Sequence, residues 1–106
     1  MITYELNSIK EKEPFPGCKV RFVHSENMTF AYWTFTAGAT LPSHSHVHEQ
    51  VGSIIQGEMD LTVDGETKRL AAGSVVVIPS NAKHSVKTIT ECYVVDVFYP
   101  VREDYR

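Results

Sequence analysis

The chain of 106 residues has only two cysteines, no run of lysine or arginine, and no apolar stretch as long as 18 residues. Each shortage removes a class of protein. Cys18 and Cys92 lie far apart and match no metal or redox spacing, so a disulfide framework is not indicated and both are expected to be buried or half-buried thiols. With a formal net charge of -3 and no basic patch to displace counterions, binding to nucleic acid or an anionic membrane is not expected. The opening stretch MITYELNSIKEKEPF scatters charges where a signal peptide would carry an apolar core, and no window is long and apolar enough for a transmembrane helix. A cytoplasmic location is the expectation. Windows with apolar residues at helical spacing are also missing, apart from weak helical character near either terminus.

The composition that remains, 42% hydrophobic and 22% charged, is that of an ordinary globular protein, and the length suits a single domain spanning residues 1–106. Residues 18–37, CKVRFVHSENMTFAYWTFTA, form two runs rich in Val, Phe, Tyr, Trp and Thr around the polar turn HSEN, a hairpin pattern that places His24 in a surface turn. Short apolar runs follow, punctuated by Gly57, the turn dipeptide Asp64-Gly65, and Gly73 ahead of Pro79. HSVKTITECYVVDVFYP supplies two more strand-like runs, the second ended by Pro100. Short strands at regular spacing predict an all-β fold, a sandwich or jelly-roll barrel.

The chemistry concentrates in LPSHSHVHEQ, residues 41–50. On a strand, alternate side chains share a face about 6.6 Å apart, so His44 and His46 can converge on one ion. A straight strand would carry residue 50 about 20 Å from His44, so either Glu49 or Gln50 can join the same ion only if the chain bends between 47 and 49. Parity does not choose between the two. Aromatic residues Phe30, Tyr32, Trp33 and Phe35 occupy both faces of one strand, leaving Met28, Tyr32 or Trp33 to line a cavity, and Arg21 is a further candidate pocket cation.

A wider spacing selects among these. Gly38, His44, His46, Gln50 and Gly57 are separated by five, one, three and six residues, and Gly73, Pro79, Asn81, His84 and Thr88 by five, one, two and three. These two patterns resemble the paired signatures of the cupins, with Gln50 where that family usually has Glu, Asn81 where it has Gly, and Thr88 where it has Asn. Asn tolerates the positive φ such a turn requires, and little consequence is expected from Thr88. The resemblance implies a single-domain jelly-roll β-barrel with His44, His46, Gln50 and His84 as ligands of a divalent transition metal (Zn, Ni, Fe, Mn, Co or Cu). His48 and Glu49 then fall at the bend, with Glu49 a ligand only if the register shifts by one residue.

The C-terminal stretch VVDVFYPVREDYR is similar to the tail of small cupins related to the pectin-degradation proteins that linearise unsaturated uronate monomers. That likeness implies Asp96 as catalytic acid/base, Phe98 as a pocket wall and Arg102 as a bidentate group for a substrate carboxylate. A small, anionic substrate and a homodimer are further expectations of the resemblance. An iron-dependent dioxygenase and a non-catalytic sugar-binding or sensor cupin are the alternatives, because a fold alone does not name a reaction.

Overall fold

From Cys92 to Phe98 every second side chain is buried, the period-two pattern of a strand with one face on a core. The same rule shapes much of the chain in the computed structural model, which describes residues 1–106. Ten strands occur in order: β1 (Lys12–Phe15), β2 (Cys18–His24), β3 (Thr29–Phe35), β4 (Thr40–His44), β5 (Glu49–Gln56), β6 (Glu58–Val63), β7 (Glu66–Ala71), β8 (Val75–Ile78), β9 (His84–Thr88) and β10 (Cys92–Tyr99). Weak helical character at the termini takes the form of single 3-10 turns at Leu6–Ser8 and Glu103–Tyr105. No helix is long and apolar enough to cross a membrane.

The strands form two antiparallel sheets, ordered β1-β2-β3-β10-β5-β8 and β4-β9-β6-β7. Val20, Trp33, Phe35, Ile54 and Val94 from the larger sheet pack with Leu41 and Met59 from the smaller. The jelly-roll arrangement is as expected, but the barrel is not closed: no strand of one sheet is hydrogen-bonded to a strand of the other. Where β5 passes into β6, from one sheet to the other, the chain turns at Gly57 with φ +93°, and a Cβ there would strike the Glu91 carbonyl, so the position needs glycine.

The turn chemistry read from the sequence holds at Asp64-Gly65, whose φ values of 47° and 85° meet the demand of a tight hairpin for two left-handed residues. Asn81 also adopts a positive φ, 67°. Thr88 departs from expectation. It is 1% exposed; its Oγ1 accepts the Ala39 N–H at 2.9 Å and donates to the Thr36 carbonyl at 2.7 Å, clamping the turn that leads into β4. Cys18 and Cys92 are buried and unpaired, as expected.

Candidate metal centre

β4 ends at His44 and β5 begins at Glu49, so the bend that the sequence requires falls between them. Across the smaller sheet His44 is in register with His84 of β9, which brings together residues 40 positions apart. The Asn81 N–H donates to the His46 carbonyl at 2.8 Å and ties the turn before β9 to the bend after β4. The result is a cluster in which ligating atoms of His44, His46 and His84 all lie within 4.8 Å of one another. Past the bend, Gln50 is buried at 7% exposure while Glu49 is exposed, and Gln50 Oε1 sits 3.1 Å from His46 Nε2.

The three rings share one tautomer. Nδ1 of His44 donates to the Pro42 carbonyl at 2.9 Å, that of His46 to the His48 carbonyl at 3.0 Å, and that of His84 to the Ala82 carbonyl at 2.9 Å. A carbonyl only accepts, so each Nδ1 carries the proton and each Nε2 is left with its lone pair. Nδ1–H bonds to the backbone are the usual orientation for histidines that ligate through Nε2. His48, as its place at the bend suggested, supports the site through its carbonyl.

Two observations show that the donors suit a cation. His84 Nε2 is buried with no hydrogen-bond partner. His46 Nε2 and Gln50 Oε1 face each other as two acceptors, an arrangement that is repulsive unless something positive lies between them. A proton on the ring is disfavoured, because burial and the nearby Arg102 charge push His46 down to about 4. Burial lowers His84 as well. A divalent ion fits the lone pairs. Three imidazoles and an amide oxygen suit a transition metal rather than calcium, without choosing among the transition metals.

Asp96 lies on the inner face of β10, 9% exposed, opposite Gly52 of β5 and Ala31 of β3. Burial pushes its carboxyl up to about 7, against the pull of the Gln50 amide and the Trp33 indole. The amide N–H2 thus serves Asp96 and its oxygen is left for the histidines. The indole contact falls short of a full hydrogen bond, since Trp33 Nε1 is buried without a partner. Phe98, two residues on, is 3% exposed and meets the His46 ring edge-on at 5.5 Å. A cleft of about 480 Å³ opens outward from His44 between β1 and the C-terminal turn, walled by Lys12, Phe22, Arg102 and Tyr105.

Other expectations need correction. Arg21 is no pocket cation: its Nε donates to the Ile9 carbonyl at 3.1 Å and its Nη1 pairs with Glu11 at 3.2 Å, on the outer face. His24 is not in a turn but ends β2, half-buried, with Nδ1 2.9 Å from Thr29 Oγ1. Met28 is exposed and Tyr32 packs outward near Leu6, so Trp33 alone of the three lines the inner cavity. The bidentate grip expected of Arg102 finds its fork occupied, with Nε and Nη2 held by Asp104 at 3.0 and 2.8 Å. Gly52, Asp104 and Tyr105 were not singled out from the sequence; only the glycine inside a strand offered a local signal.

Comparison with known proteins agrees with this geometry. The sequence profile of the family described as Cupin domain matches residues 31–98. The pectin degradation protein KdgF of Dickeya dadantii (strain 3937) is 28% identical over 83 residues, covering 76% of each chain. Among solved structures, KdgF from Halomonas sp. superposes with a TM-score of 0.92 at 25% identity, covering 100% of this chain and 99% of that one. An RmlC-like cupin from Shewanella frigidimarina NCIMB 400 superposes with a TM-score of 0.88 at 28% identity, covering 94% and 91%. The matched stretch runs from β3 into β10 and holds all three histidines, Gln50, Asp96 and Phe98, and on that evidence the chain belongs to the cupin family, where it resembles the KdgF proteins.

Proposed function

We propose that the protein is a metal-dependent enzyme acting on a small sugar acid, in its sharpest form opening an unsaturated uronate monomer to the linear keto acid. The observation that carries this reading is Asp96, a buried carboxyl lining the same cavity as Gln50, His44 and His84. The likeness to KdgF, named for pectin degradation, supports the choice of substrate.

His44, His46, Gln50 and His84 would hold the ion, which when bound supplies a Lewis acid to polarise substrate oxygens. The proton movements fall to the chain. Ring opening removes a proton from the hemiacetal hydroxyl, breaks the bond between C1 and the ring oxygen, and adds a proton at C4, leaving an aldehyde at C1 and a ketone at C5. The net change is an isomerisation with no external reductant or oxidant. A carboxyl that titrates near neutrality can serve both as donor to C4 and as acceptor from the hydroxyl. Phe98 walls the cavity beside His46, and Arg102 places a positive charge within reach of an anionic substrate.

The deciding experiment is Asp96→Asn, assayed on the unsaturated galacturonate monomer with metal content measured in parallel. Turnover is expected to fall by about 10²–10⁴-fold, the usual worth of a general acid/base, while the metal stays bound. Unchanged turnover with metal retained would show the mechanism to be wrong. Activity that persists without oxygen separates the reading from an iron dioxygenase, which would instead consume oxygen when Fe-loaded. Tight sugar-acid binding without product would place the protein among binding modules.

A further inference from the structure

The space around Asp96 and the cleft outside it are separate. Asp96 lines an inner cavity of about 50 Å³, shared with Gln50, His44, His84 and Phe98. A water needs about 10–15 Å³ of such volume, so the cavity holds a few waters, whereas sites for small organic ligands run to roughly 300 Å³ or more. The cleft that opens from His44 past Lys12 and Phe22 measures about 480 Å³, room enough for a monosaccharide acid. Four residues line both spaces and form the partition: Trp33, Leu41, His44 and Tyr105.

Three of the four are fixed by strand pairing. Trp33 lies within β3, in register with Val20 and Val94, and is 5% exposed; Leu41 and His44 are in register with Val86 and His84 across β9. Tyr105 is held differently. It belongs to the 3-10 turn Glu103–Tyr105, which buries none of its residues, and its N–H donates only locally, to the Arg102 carbonyl at 3.0 Å. The ring fills a slot: it stacks on Phe22 at 4.3 Å, lies 4.0 Å from the Arg102 guanidinium carbon and meets Phe98 edge-on at 6.0 Å. Segments with few buried residues and only local backbone bonds are the first to open. The base of the turn stays put, because the Arg102 N–H donates to the buried Thr29 Oγ1 at 2.8 Å. We propose that Tyr105 is a gate residue: its ring separates the cleft from Asp96, and a sugar-sized ligand reaches that carboxyl only when the ring swings out of its slot beside Phe22. Such a ligand also keeps the ring out, because a cavity with room for a few waters cannot enclose it. With the ring in place, Asp96 retains the burial that raises its carboxyl.

The inference rests on the sugar-acid reading only for the ligand it names, so motion of the gate is tested first without that ligand. Fluorotyrosine is placed at position 105 alone, and fluorine relaxation dispersion is recorded on the zinc-loaded protein. Exchange between a closed major state and an open minor state is expected on the microsecond-to-millisecond scale of loop and lid motions. Trp33, the one tryptophan of the chain, supplies a second readout through acrylamide quenching. With the open state populated at about 0.1–10%, Tyr105→Ala should raise the quenching constant about tenfold or more, while Tyr105→Phe, which keeps the ring, should match the wild type. Flat dispersion at position 105, or equal quenching of Tyr105→Ala and the wild type, would overturn the gate. On saturation with D-galacturonate the fluorine signal should move to the open position, and binding that leaves it at the closed position would overturn the gate as well. Exchange at position 105 in a protein that neither binds nor linearises uronates would uphold the gate while refuting the proposed reaction.

Discussion

Gln50 is neutral where a carboxylate would be the stronger ligand, and Asp96 supplies the reason. A glutamate at this position would put two carboxylates side by side in a buried cavity, where like charges cannot both ionise cheaply. The amide avoids the conflict by turning N–H2 to Asp96 and its oxygen to His46. One side chain thereby serves both the metal end and the carboxyl that the proposed reaction uses. Thr88 shows the same economy in a structural role. Thr88→Val keeps the shape but leaves the buried Ala39 N–H with only a long 3.4 Å contact to the Thr36 carbonyl, and it should lower stability by about 2 kcal/mol in urea unfolding, with no change in metal stoichiometry. A loss within error of zero would show that the turn finds another partner.

At the scale of elements, the pairing of β5 with β10 decides where the carboxyl sits. Asp96 is in register with Gly52, and a Cβ on Gly52 would come within 2.7 Å of Asp96 Oδ1 and 3.3 Å of Val76 Cγ1. A glycine in the middle of a strand weakens it, and here it makes the room that Asp96 occupies. Gly52→Ala should therefore push the carboxyl out of place, costing about 1–3 kcal/mol through overpacking. The three histidines lie on β4, β9 and the bend, away from this contact, so the ion should stay bound through them, even if Gln50 shifts with Asp96, while turnover drops. Turnover equal to wild type in this variant would mean that the position of Asp96 does not matter.

Over the whole molecule, proton linkage should give the metal-free protein a stability optimum near neutrality. Burial holds His46 and His84 neutral in the fold, so as pH falls below 6.5 the unfolded chain binds more protons and stability is lost, for His46 down to about 4. Asp96 acts in the opposite sense. Its folded carboxyl keeps a proton from pH 3.8 up to about 7, so its contribution is present at low pH and is lost as pH rises through that range. Just below pH 6.5 two histidines act against one carboxyl, and above it only the Asp96 decline remains. Melting curves from pH 4 to 8 should show this maximum. Added zinc should raise the melting temperature most above pH 6.5, because imidazole binds metal only when neutral, and chelation should reverse the gain. A zinc effect independent of pH would argue against a histidine site.

The sequence by itself determined what depends on near neighbours: alternation that makes strands, Asp64-Gly65 and Asn81 where the backbone turns left-handed, and the spacing that marks His44, His46 and His84. It also required a bend before residue 50, because strand geometry is the same in every protein. Partnership was decided only by tertiary structure. Which face of β3 turned inward, so that Trp33 rather than Tyr32 lines the cavity, depended on packing across two sheets. The closing of Asp104 on Arg102, the seat that Gly52 makes for Asp96 and the open seams between the sheets depended on which strand edges and chain ends met. Local pattern specifies what a residue can do; its pKa, tautomer and free donors are set by the atoms that pairing between distant strands brings to it.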